Sequence, residues 1–426
     1  MDKTDIRYAA YVRILKDELI PAMGCTEPIA LAYAAAKARE VLGLIPERIE
    51  LKVSGSIIKN VKSVIVPNTG GLKGMRAAVS AGIIAGDASR ELEVISVVSP
   101  AQMEDIVSYM DLTPIDITHI EEGHVFDIVL SAFAGEHSSV VRIFDYHTNI
   151  VLIEKDGQIL HDSRCGGGGE EEDSERGLLS LEGIWNFATT AELEDVRELL
   201  ERQIEYNTAI ANEGIRGDYG ANVGKTLLKL QGNDVRVRAK AMAAAASDAR
   251  MNGCEMPVII NSGSGNQGIT CSVPVIEYAA ELGAEHDKLL RALLLSNLIS
   301  IHEKTGIGTL SAYCGAVTAG SGAAAGIVYL MGGSYEDVCS TVTNALAITS
   351  GIICDGAKAS CAAKIAVSLD SALLGYDLNR CDNEFEAGDG IVMEDVDSTI
   401  SGVGKIGKEG MRSTNDTIIK LMIEEK

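Results

Sequence analysis

The stretch CGGGGEEEDSERG, residues 165–177, divides the chain. Four consecutive glycines give the backbone no preferred conformation, and the acidic run after them carries neither a period of two nor one of 3.6. By composition it is a linker. Just upstream, HVFDIVLSAF (124–133), SSVVRIFDY (138–146) and IVLIEKDG (150–157) read as strands of a meander, with turns at Ala134-Gly135-Glu136 and Thr148-Asn149. Farther upstream, residues 5–45 read as helices interrupted at Pro21-Ala22-Met23-Gly24. Residues 49–66 (IELKVSGSIIKNVKSVIV) are β-rich. PNTGGLKG (67–74) is a turn opening a small-residue helix that runs to about Gly86. Residues 93–98 read as a buried strand and 101–110 as a short helix. Downstream, from Leu181 on, the pattern is almost wholly helical with Gly-rich breaks. The expectation is an α+β domain over 1–164, the linker over 165–177, and a mostly α-helical domain over 178–426.

The bulk numbers narrow the function classes. The chain has 426 residues, is 46% apolar, and has only 4% aromatics against 44 glycines, so its core is built from small aliphatics at close approach. A net charge of −24 argues against nucleic acid, whose phosphates need clustered Lys and Arg. The N-terminus shows no secretory pattern, and AVTAGSGAAAGIVYLMGG (316–333), dominated by Gly and Ala, reads as a buried helix rather than a membrane span. Nine cysteines without an export signal point to a reducing, cytoplasmic setting in which thiols are free, metal-bound or catalytic.

Two Gly-rich stretches imitate nucleotide sites. VIINSGSGNQG (258–268) holds Gly263-x-Gly265-x-x-Gly268, but the Pro in ITCSVPV after it argues against a helix there. With no βαβ alternation around it, NAD binding is not expected. It remains either a tight loop or a backbone cradle for a carboxylate. GDYGANVGKT (217–226) has three residues between Gly220 and Gly224 where a Walker loop needs four.

The cysteines carry more. In GIICDGAKASCAAK (351–364), an unbroken helix would set Cys354 and Cys361 about 10 Å apart along its axis. The turn-forming pair Asp355-Gly356 removes that separation. The expectation is that Cys354 ends one helix and that Asp355 caps the next from about Ala357, with Cys361 in its first turn. A third thiol, Cys314, lies in SAYCGAV. Together they read either as a three-cysteine metal site or as three buried core thiols. In PAMGCTEPIALAY, Thr26 is the expected N-cap and Pro28 suits the first turn, so Cys25 stands at a helix N-terminus where the dipole favours a thiolate. Lys358 and Lys364 read as solvated, and the seven histidines form no cluster.

AMGCTEP, SGSGNQG, LSAYCGA and GIICDGAKASCAAK, in this order and spacing, resemble the oxygen-sensitive iron–sulfur L-cysteine desulfidases, relatives of the α-chain of iron–sulfur L-serine dehydratases. The resemblance runs over essentially the whole chain. It implies a serine dehydratase α-chain-like fold and a [4Fe–4S] cluster on Cys314, Cys354 and Cys361 with one iron open. It implies that Cys25 is the reactive thiol and that no pyridoxal phosphate is used. The tail LMIEEK holds no cysteine to cap the open iron. The implied reaction is α,β-elimination of L-cysteine to hydrogen sulfide, ammonia and pyruvate. The alternatives are L-serine dehydration on the same cluster, a non-catalytic metal or redox sensor, and a structural zinc site completed by Cys271. For the zwitterion, Glu27 is a candidate for the ammonium. Asn68, Thr69, Lys73, Ser262, Ser264, Asn266 and Gln267 are candidates for the carboxylate. A small amino acid is the expected partner, with no nucleic acid and no membrane, and a homo-oligomer is left open.

Overall fold

A computed structural model describes residues 1–121, 124–163, 175–308 and 310–424. Of the linker stretch 165–177, residues 165–174 lie outside the described residues. The N-terminal part opens with α1 (Ile6–Glu18), β1 (Pro21–Met23), α2 (Thr26–Leu42), β2 (Arg48–Ser54), α3 (Gly55–Val61), α4 (Gly74–Ala85) and α5 (Pro100–Leu112). It continues with β3 (Ile115–Ile120), β4 (Asp127–Ala134), β5 (His137–Phe144), β6 (Ile150–Lys155) and β7 (Gln158–Asp162). Six strands form one sheet in the order β3-β2-β4-β5-β6-β7, parallel only between β2 and β3. Alternation along β4 turns Ile128, Leu130 and Ala132 inward. The Ala-rich helix α2 covers that face, and α4 packs against α2. Their close approach leaves no space for side chains: a Cβ on Gly82 would stand 2.2 Å from the Ala32 carbonyl oxygen.

The second part is helical, as expected. Its elements are α6 (Leu181–Thr190), α7 (Arg197–Arg216), α8 (Val223–Gln231), α9 (Val235–Met251), β8 (Pro257–Ile259), α10 (Gly265–Leu282), α11 (His286–Ile307) and α12 (Gly315–Leu330). They are followed by α13 (Tyr335–Thr349), α14 (Cys361–Asn379), α15 (Val396–Lys405) and α16 (Arg412–Glu424). The Gly/Ala helix α12 is buried along nearly its whole length, against α10, α11, α13 and α14. Among the described residues no helix is long and apolar enough to cross a membrane.

The two parts interlock. β1 pairs antiparallel with β8. Tyr8, Tyr11 and Leu15 of α1 sit in the apolar core of the helical part. The second part returns the exchange: α16 packs on α3.

Several local expectations are corrected. Only the first half of 49–66 is a strand. At Ser54-Gly55 the chain turns into α3, where Gly55 fits beneath Ile419 with no room for a Cβ (2.8 Å to Cδ1). Residues 93–98 form no strand, because a 3-10 segment, Ala88–Glu93, leads into a turn there. The segment after SGSGNQG is helical despite Pro274. Pro274 leaves the Thr270 carbonyl without its helical donor, and the Ser296 hydroxyl from α11 donates to the next carbonyl, that of Cys271 (2.7 Å). β3 and β7, unforeseen, are the two edge strands.

Candidate active site

At the seam between the two parts lies a cavity of ≈ 100 Å³, and the four candidate cysteines line it. Cys314 and Cys354 are brought together by backbone pairing. Tyr313 and Ile353 form an antiparallel bridge, with Cys354 N donating to Ala312 O (2.7 Å) and Cys314 N to Ile352 O (3.1 Å). α13 already ends at Thr349, so Cys354 stands in the following loop rather than at a helix end. The next helix begins at Cys361 itself, not at Ala357. Asp355 therefore caps nothing and forms an ion pair with Lys364. Gly356 adopts φ +92°, and a Cβ there would meet Lys59 O at 2.4 Å. That turn returns the chain so that Cys361 joins Cys25 in one small buried cluster with Val64 and Met251.

Cys25, rather than Thr26, is the N-cap residue of α2. The Thr26 hydroxyl instead faces the glycine loop and donates to Gly263 O (3.1 Å). Burial pushes the Cys25 thiol up to about 12, against the helix dipole and the charge of Arg250. Desolvation outweighs the helix terminus, so in this cavity Cys25 rests as a thiol. Cys354 is the opposite case. The Cys314 thiol donates to it, and the Lys59 and Lys304 ammonium groups lie close, which together hold it below the usual thiol range despite burial. Cys314, keeping the shared proton, moves up.

Lys59 comes from α3 and is fully buried. Its Nζ donates to Ser311 O and Cys354 O (3.3 Å each) and to Asn415 Oδ1 (2.7 Å), which ties both cysteine loops to α16. Lys304 lines the cavity, and burial lowers it to about 8. Neither lysine was foreseen as a site residue. Lys358, read as solvated, is half-buried and donates to Ser63 Oγ (2.9 Å).

Glu27 is buried and accepts from Asn60 Nδ2 (3.1 Å) and from the Thr26 hydroxyl (3.2 Å). His147 Nε2 stands 4.0 Å from its carboxylate. Burial raises the Glu27 carboxyl, but His147 and the charge of Arg250 outweigh it and hold the group below its ordinary value. His147 had no role in the sequence reading, since only the β5–β6 turn brings it against α2. Ser262, Ser264, Asn266 and Gln267 line the cavity as expected. Asn68, Thr69 and Lys73 do not: Asn68 donates to Ile95 O (2.8 Å), Thr69 to Val66 O (2.7 Å), and Lys73 is exposed. They shape the turn into α4. Cys271 is buried and lies outside the cavity lining.

The serine dehydratase alpha chain family model matches residues 89–420. A UPF0597 protein of Desulfitobacterium hafniense (strain Y51) is 54% identical over 100% of this chain and 99% of its own length. A UPF0597 protein of Lachnoclostridium phytofermentans is 50% identical over 98% of this chain and 100% of its own, and one of Treponema denticola is 45% identical over 100% of both. On the family match and these full-length relatives, the chain belongs to the serine dehydratase alpha chain family.

Proposed function

We propose that this protein is a lyase that removes the β-substituent of an L-α-amino acid, and that L-cysteine is its substrate. The products are hydrogen sulfide and aminoacrylate, which hydrolyses to pyruvate and ammonia. The observation that carries the reading is the cavity itself. One space is lined by Cys25, by Cys314, Cys354 and Cys361, and by the polar glycine loop.

Cys314, Cys354 and Cys361 are the residues that would hold a [4Fe–4S] cluster. The donor set is all sulfur, and one member already carries the charge a metal ligand needs. Among the described residues no three His, Cys, Asp or Glu side chains converge as a single ion demands. A cluster spreads its thiolates over several irons, so the donor set fits it better than zinc. When bound, such a group supplies a Lewis acid for the negative charge of the departing sulfide or hydroxide.

The chain's own side chains supply the rest. The Glu27 carboxylate receives the substrate ammonium. The glycine loop and the mouth of α10 orient the carboxylate end. Cys25 Sγ takes the α-proton. Its thiol must first ionise, and a bound ammonium beside it lowers that cost by adding positive charge. His147 Nε2, 4.0 Å from the Glu27 carboxylate in the same cavity, keeps that carboxylate charged for the ammonium.

The test is anaerobic reconstitution with iron and sulfide, followed by assay of sulfide and pyruvate from L-cysteine and of pyruvate from L-serine. Sulfide in step with pyruvate supports the desulfidase. Turnover of serine alone, in keeping with the name of the family, makes the protein a dehydratase. A loaded protein with neither activity supports the sensor reading.

A further inference from the structure

The cavity holds a buried cation that no carboxylate pairs with directly, although its charge is felt at Glu27. Arg250, at the end of α9, is 4% exposed. Its Nη1 donates to the side-chain oxygen of Asn266 (3.2 Å), a neutral partner. Its Nε is buried with no hydrogen-bond partner, and none of the ion pairs seen among the described residues includes it. The guanidinium lies against the start of α10, where a Cβ on Gly265 would stand 2.2 Å from Nε. Only a glycine leaves space for this arrangement. Its charge reaches both Cys25 and Glu27.

A desolvated guanidinium with no carboxylate hydrogen-bonded to it is costly to fold around, and a carboxylate is its natural complement. The polar side chains of the glycine loop lie on the same wall of the cavity, and the free N–H groups at the α10 N-terminus favour an anion there. We infer that Arg250 is the anchor for the substrate α-carboxylate, and that the site selects amino acids whose carboxyl group is free. Glu27 would then take the ammonium, so that the α-carbon lies between two opposite charges and in reach of Cys25. The inference rests on the lyase reading for its substrate, but its binding test does not need turnover.

L-Alanine and L-alaninamide are suitable probes, because neither carries a β-leaving group. Equilibrium dialysis of the reconstituted full-length protein is expected to favour L-alanine over L-alaninamide by about 10- to 100-fold, the range of a hydrogen-bonded charge pair. Arg250→Gln is expected to abolish that preference and to raise KM for the turned-over amino acid by the same factor, with kcat falling less. Arg250→Lys should restore part of both. The thermal midpoint of Arg250→Gln should not fall, since the residue it replaces has no ion-pair partner to lose.

If Arg250→Gln keeps the acid-over-amide preference, or if neither probe binds the wild-type protein, the anchor is overturned. The same holds if the variant loses stability while KM is unchanged. Turnover that ignores Arg250 would remove the anchor and leave the lyase. Carboxylate-selective, Arg250-dependent binding without any turnover would leave the anchor and remove the lyase.

Discussion

The two ends of the cavity treat a buried thiol in opposite ways. At the α2 end, Cys25 stands at a helix N-terminus and is nevertheless pushed up to about 12. At the other end, Cys354 is partly exposed, lies in no helix, and is held low by a thiol donor and two ammonium groups. A helix terminus supplies only about half a unit charge, whereas Lys59 and Lys304 each bring a full one into a poorly screened space. The Cys314 thiol donor acts most strongly, and the two charges that reinforce it come from α3 and α11, remote in sequence. On the proposed function, the thiolate Cys354 belongs to metal ligation and the thiol Cys25 to proton traffic, with Cys361 standing between them.

The largest effect should come from breaking the ligand end. Cys354→Ala is expected to reduce iron uptake on reconstitution to background and to abolish activity, as read by iron and sulfide content beside the pyruvate assay. Breaking the other end should spare the metal. Cys25→Ser should keep full iron content and lower kcat by about 10²- to 10⁴-fold, the range of a lost proton-transfer group. If the two variants lose iron together, the division of labour is wrong. Gly356→Ala sharpens the geometric side. Its φ of +92° and the Lys59 carbonyl both oppose a Cβ, so a loss of about 2 kcal/mol or more is expected in urea unfolding, with poorer iron retention.

The smallest effect is expected at a buried carboxyl away from the cavity. Glu303 accepts from Ser321 (2.7 Å), its second oxygen has no partner, and burial raises it well above 4.5. The folded protein therefore keeps that proton at pH values where the unfolded chain has lost it. The stability this contributes is complete below about 4.5 and is lost as pH rises towards the folded value. Glu303→Gln does not titrate. It should flatten the decline, with a gain of about 1–3 kcal/mol at pH 8 measured by urea unfolding across pH.

What the sequence discloses follows from where the forces are local. The meander of β4–β6 was legible because its apolar residues alternate against one covered face. The edge strands β3 and β7 were not: IDITHI and QILHD bury little, and the pairing that makes them strands lies elsewhere in the chain. GSIIKNV reads as part of a β-rich run, yet it is the helix α3, packed under Ile419 of α16. Within the site, the cysteines declare their chemistry by type. Lys59, His147, Arg250 and Lys304 look like ordinary polar residues until the fold buries them together. Asn68, Thr69 and Lys73 show the converse, since good turn chemistry in sequence is often only turn chemistry.

The hydrogen bond from Lys59 to Asn415 joins residues 356 positions apart. On the ribosome, Lys59 is made early and stays without this partner until nearly the whole chain has emerged. The Lys59 ammonium that braces the loops carrying Cys314 and Cys354 is itself anchored at its third donor only when α16 docks. On the proposed function, metal loading would follow the docking of α16, and a nascent chain stalled before residue 415 would present its thiols without that brace to any oxidant nearby.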